Sequence, residues 1–117
     1  MFYQINNKSE EKIMFLFDKT PSVSGNELIK KLPARPTILD IRQKDAYVNG
    51  HIPGAKNVTM DKLTKMKLSK KDAVYVVCYS GMSSRTAVKE LKRQGYDAYS
   101  IKGGMNSWNG PVKGGLQ

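Results

Sequence analysis

Cysteine is almost missing from this chain. One thiol, Cys78, and one imidazole, His51, stand among 117 residues. A single cysteine forms no intrachain disulfide. With one histidine it makes no tetrahedral zinc site unless carboxylates or another chain complete it, so neither a disulfide scaffold, a metal centre nor a cofactor is expected. Long apolar runs are missing too. The stretch IMFLF, residues 13–17, is too short for a membrane span or a signal-peptide core, and Glu10 and Glu11 precede it where a secretory leader is basic. No membrane association is expected, and a reducing cytoplasm is the expected setting. Acidic residues are scarce: ten Asp and Glu face twenty Lys and Arg, a formal net charge of +10 that draws anions of any kind. The lysines fall as pairs and singles (Lys30, Lys31, Lys70, Lys71, Lys89, Lys92), never as a block of five or six. That is the pattern of a solvated surface and argues against nucleic-acid binding.

What is present suits one domain. A chain of 117 residues with 39% hydrophobic content can bury one core. It divides into an N-terminal extension (1–19), a domain (20–112) and a flexible tail (113–117, KGGLQ), with no internal repeat. Short apolar runs alternate with helix-like stretches, the pattern of an α/β domain with a largely parallel sheet. Ser24 and Glu27 predict a capping box, followed by the apolar stripe Leu28, Ile29 and Leu32 and a stop at Pro33 and Pro36. Strands are predicted at 37–41, 55–58, 73–78 and 98–101, and helices at 43–49, 59–66 and from the 78–84 turn to a Gly95 cap. Met105 to Trp108 begins a final short helix. The run AVYVVC, residues 73–78, suits a central strand covered on both faces.

Cys78 falls where that strand ends and a turn leads into a helix. A sulfur there faces the N–H groups that the turn and the first helical turn leave unsatisfied. Such surroundings bring a cysteine pKa from about 8.5 into the range of roughly 3.5–7.5. Gly81 permits the turn, Ser80, Ser83 and Ser84 are short donors, and Arg85 adds positive charge. The competing reading is a small buried thiol beside a capped helix. Its place at the C-terminal edge of a parallel strand, where open α/β sheets hold ligands, favours a reactive one.

Three segments, ILDIRQKDAYVNGHIPGA, VYVVCYSGMSSRTA and GYDAYSIKGGMNSW, resemble in that order the recurring signatures of single-domain rhodaneses, the thiosulfate sulfurtransferase-like family, from Ser24 to Trp108. The resemblance implies a rhodanese-like α/β fold: a roughly five-stranded, mainly parallel sheet flanked by helices on both faces. It implies that Cys78 takes a sulfane sulfur from thiosulfate or a persulfide donor, becomes a persulfide, and passes the sulfur to cyanide, a thiol or a protein. The active-site loop and anion cradle would be Cys78, Tyr79, Ser80, Gly81, Met82, Ser83 and Ser84. Asp40 and Arg42 match an interior Asp-x-Arg brace, His51 a structural position in the turn HIPG, and Gly103, Gly104 and Trp108 the closing motif. Many members carry arginine where this chain has Ser83, which bears on donor preference.

Two other readings are open. The Cdc25-like phosphatases and arsenate reductases share the fold and clamp their oxyanion with arginine in a Cys-x5-Arg loop. Here that position is Ser84, and Arg85 stands one residue late, about 100° further around a helix. The domain could also be a non-turnover relay or interaction module that takes persulfide from a protein such as a cysteine desulfurase, with the basic surface as its docking face.

Overall fold

The computed structural model describes residues 18–116. Five strands form one parallel sheet: β1 (Ser22–Val23), β2 (Thr37–Asp40), β3 (Lys56–Asn57), β4 (Val74–Val77) and β5 (Ala98–Ile101), in the order β1-β5-β4-β2-β3. Between them run α1 (Gly25–Lys31), α2 (Lys44–Asn49), α3 (Met60–Lys65) and α4 (Met82–Arg93). Two 3-10 turns lie at Leu32–Ala34 and Gly104–Ser107.

The period-2 alternation of strand side chains explains the layers. In β4, Val74 and Val76 join Leu39, Ala98 and the α3 and α4 residues Leu63, Ala87, Val88 and Leu91 in one core. Tyr75 and Val77 face the other way, into a second core with Ile38, Ile101, Leu28 of α1 and Tyr47 of α2. All four residues of β4 are buried, as a doubly covered central strand requires. Helices therefore cover both faces of the sheet.

Local chemistry sets the element ends. Ser24 and Glu27 form the reciprocal capping box at α1. Thr59 caps α3 through its hydroxyl, and the N–H of Gly95 closes α4 on the Lys92 carbonyl. Pro33 sits inside the first 3-10 turn, which continues the chain beyond α1 before Arg35 turns it in the left-handed region.

Several expectations are corrected. β1 was not foreseen; its two residues pair with Ser100 and Ile101. Within the expected tail, Lys113 and Gly115 are hydrogen-bonded to the domain. Lys113 and His51 exchange backbone hydrogen bonds of 2.8 and 2.9 Å, and the Gly115 N–H reaches the Val48 carbonyl at 2.9 Å. The final helix is a single 3-10 turn that stops at Ser107, with Trp108 as its C-terminal cap. Most of the N-terminal extension, residues 1–17, lies outside the described residues. Its last two residues, Asp18 and Lys19, lead into β1.

Candidate active site

β2 and β4 are neighbours, but the chain leaves them in opposite directions. After β2 it enters α2 on one face, and after β4 it enters α4 on the other. Diverging connections at the C-terminal edge of a parallel sheet leave a crevice between them. A hollow of about 220 Å³ lies there, lined by Ile41, Arg42 and Gln43 from one side and Cys78, Tyr79, Ser80 and Ser83 from the other.

Cys78 stands one residue beyond β4, at 5% exposure, and its sulfur does the work of a helix cap. Gly81, the N-cap of α4, has no side chain to bond the first turn. Instead the N–H groups of Gly81 and Ser84 donate to Sγ, at 3.1 and 3.4 Å. Oγ of Ser84 lies 3.5 Å from Sγ. Burial pushes the Cys78 thiol up, but the Ser84 hydroxyl and the N–H groups of Ser84, Gly81 and Ser80 outweigh it and hold the pKa below its ordinary value.

The closing glycines create that convergence. The N–H groups of Met105 and Asn106 bind the carbonyls of Cys78 and Tyr79 at 2.8 and 2.9 Å. A trans peptide points its N–H opposite to its C=O, so tying the Tyr79 carbonyl outward turns the Ser80 N–H inward, toward the sulfur. The approach needs glycine at 104, because a Cβ there would overlap the Cys78 and Tyr79 carbonyl oxygens. Gly81 adopts φ +98, and a Cβ on it would press within 3.2 Å of the Gly103 nitrogen.

Beneath the sulfur, Ser84 is fully buried, donates to the Gly81 carbonyl at 3.2 Å and lies 2.6 Å from Oγ of Ser100. Ser100 was missed in the sequence. Its signal was there: a small polar serine in the strand AYSI, on the face it shares with Ala98, which packs against α4.

Asp40 and Arg42 form the buried corner next to the hollow. Nε and Nη2 of Arg42 donate to the carboxylate, the shortest contact being 2.8 Å, and Nη2 also donates to the Gly50 carbonyl at 2.7 Å. The side chains of Arg42 and Asp40 are 6% and 0% exposed, and the guanidinium lies 5.5 Å from the Tyr79 ring centroid. His51 is buried, stacked on Tyr47 and within 2.8 Å of the Tyr47 carbonyl through Nδ1. Trp108 packs at the edge of the second core and donates to the Pro111 carbonyl.

Two predicted site residues stand elsewhere. Met82 is 58% exposed and does not line the hollow, because the first turn of α4 carries it to the outer surface. Arg85 directs Nε to Asp18 at 3.3 Å, so its charge is paired outside the loop and the cation bordering the hollow is Arg42.

Comparison with known proteins agrees with this architecture. Residues 24–111 match the family described as Rhodanese-like domain. The chain is 36% identical over 91 residues to the thiosulfate sulfurtransferase GlpE of Shewanella oneidensis, covering 74% of this chain and 90% of that one. Among solved structures, a rhodanese-like domain protein from Staphylococcus aureus is 30% identical with a TM-score of 0.74, covering 81% of this chain and 98% of that one. A rhodanese-related protein from Thermoplasma volcanium is 27% identical with a TM-score of 0.72, covering 83% and 99%. The chain belongs to the rhodanese-like domain family, and sulfur transfer in general is the activity to which its named relative points.

Proposed function

We propose that this rhodanese-like domain is a sulfurtransferase in which Cys78 carries a sulfane sulfur as a persulfide. The carrying observation is the convergence of the Gly81 and Ser84 N–H groups on Sγ beneath a hollow at the sheet edge. Donors arranged for one sulfur anion before any substrate arrives stabilise the attacking thiolate and the persulfide anion that replaces it.

In the first half-reaction the Cys78 thiolate attacks the sulfane sulfur of thiosulfate. A bond forms between Sγ and that sulfur, the sulfur–sulfur bond of thiosulfate breaks, and sulfite leaves with the electron pair. In the second, a nucleophile such as cyanide or a thiolate attacks the outer sulfur, and Sγ leaves as thiolate. The hydroxyls of Ser80 and Ser83 border the hollow where the donor's sulfonate oxygens would lie. Among the described residues, the guanidinium of Arg85 is paired to Asp18 and that of Arg42 to Asp40, so neither is placed to clamp a phosphate, which weighs against phosphatase or arsenate chemistry.

A protein persulfide donor, such as a cysteine desulfurase, is a second reading of the first half-reaction. Tyr79, which lines the hollow and is 54% exposed, favours it as an apolar docking contact. A cytoplasmic setting belongs to the same proposal, since the thiol must stay reduced. No described helix is long and apolar enough to cross a membrane.

Mass spectrometry after thiosulfate treatment tests the reading. One added sulfur is expected on the peptide containing Cys78, removable by cyanide as thiocyanate, with no hydrolysis of aryl phosphates. Cys78→Ser should lose transfer completely and keep the fold. Full transfer by that variant overturns the assignment.

A further inference from the structure

Beside the hollow over Cys78, the C-terminal edge of β2 and β3 opens into a second, larger cavity of about 810 Å³. Ile41, Arg42 and Gln43 border both spaces. β3 and β4 flank β2 on either side, so β3, which lines the cavity with Lys56 and Asn57, runs about 10 Å, two strand spacings, from β4. Its chemistry is one-sided. Lys44, Lys56 and Lys62 line it together with Gln43, Asn57, Thr59 and Leu116, and among the described residues no side-chain carboxylate does. Asp45 and Asp61 neighbour it in sequence without lining it.

Thiosulfate has no use for this space, because the 220 Å³ hollow already accommodates a five-atom anion. The half-reaction that needs more room is the second, in which a thiol must bring its sulfur to the persulfide while the rest of the molecule lies elsewhere. We propose that the lysine-lined cavity seats the body of the sulfur acceptor, a low-molecular-weight thiol of about tripeptide size bearing at least two carboxylates. The proposal rests on the sulfurtransferase reading of Cys78. The carboxylates meet Lys44, Lys56 and Lys62, Gln43 and Thr59 offer hydrogen bonds to amide groups, and the thiol end crosses the Ile41–Gln43 rim toward Cys78. The acceptor thiolate attacks the outer sulfur of the Cys78 persulfide. A new sulfur–sulfur bond forms on the acceptor, the Sγ–S bond breaks, and Sγ keeps the electron pair. The charge of the persulfide anion leaves on the acceptor persulfide, so the total charge is conserved. Charge complementarity of this kind selects among thiols by their anionic groups and weakens with salt.

Glutathione is the probe for turnover and S-methylglutathione, which cannot react, the probe for binding. NMR titration with S-methylglutathione should move the amide signals of Gln43, Lys44, Lys56 and Lys62. The double variant K56E/K62E, at two exposed positions, should weaken that binding about tenfold with unchanged thermal melting. It should also raise the KM for glutathione about tenfold and that for neutral 2-mercaptoethanol less than about twofold. Signals that move elsewhere, binding that ignores the charge reversal, or equal effects on both thiols would overturn the proposal. The binding arm needs no chemistry. Intact binding in a protein that forms no Cys78 persulfide therefore rejects the sulfur-transfer reading, and with it the acceptor role, while the cavity stands as an anionic-peptide site.

Discussion

Two corners at the edge of one sheet hold negative charge in different ways. At the end of β2, the Asp40 carboxylate is neutralised by a side chain, the forked guanidinium of Arg42, inside the protein. At the end of β4, the Cys78 sulfur is surrounded by main-chain N–H groups and one hydroxyl, beneath an open hollow. A charge pair neutralises its own anion and leaves little for a visitor. Backbone dipoles are fixed by the fold, carry no net charge, and can serve a thiolate and a persulfide in turn. The first corner is built for rigidity and the second for an anion that changes identity.

The largest effect tests the first corner. Asp40→Ala leaves a buried guanidinium with its Gly50 carbonyl contact but without its counter-ion, and should cost about 3–5 kcal/mol in urea denaturation. Replacing both partners by apolar residues (D40L/R42M) should recover much of that loss. A D40A chain as stable as its parent would show that charge does not hold this corner.

A middle-sized effect tests the second. The native Cys78 pKa lies below its ordinary value, so thiolate accumulates, and iodoacetamide alkylation accelerates, as pH rises through a midpoint lower than that of an unstructured cysteine. Ser84→Ala removes a donor that favours the thiolate. It should move the midpoint to higher pH and slow alkylation at neutral pH about fivefold, the worth of one hydrogen bond of about 1 kcal/mol. Ser100→Ala acts through Ser84 and should shift the profile in the same direction by less. Complete loss of the depression in S84A would mean that this corner, too, depends on a side chain.

The smallest effect concerns the hollow. Ser83 borders it and is exposed, so Ser83→Arg adds a cation without repacking the core. The KM for thiosulfate should fall about two- to fivefold, with little change in kcat. An unchanged KM would place the sulfonate of the donor elsewhere.

The parts readable in the sequence were those governed by neighbours along the chain. The capping box at Ser24 and Glu27, the apolar run of β4, the stripe Ala87, Val88 and Leu91, and the Gly95 cap are short-range patterns, and each stands where the pattern put it. The position of Cys78 between strand and helix was legible for the same reason. Two-residue β1 was not, because two residues have no periodicity and the strand exists only through its pairing with β5. The pinned C-terminal segment depends likewise on a distant partner, His51.

By itself, then, the sequence determined the order and type of the main elements, the single thiol and its place at a strand end, since hydrophobic period, turn residues and caps act over a few positions. Tertiary structure alone decided what surrounds that thiol. It brought Gly104 against the Cys78 and Tyr79 carbonyls, set Ser100 under Ser84, drew Arg85 away to Asp18 and left Arg42 at the hollow. Those contacts join residues far apart in the chain, and only the packed sheet and its helices fix the distances between them.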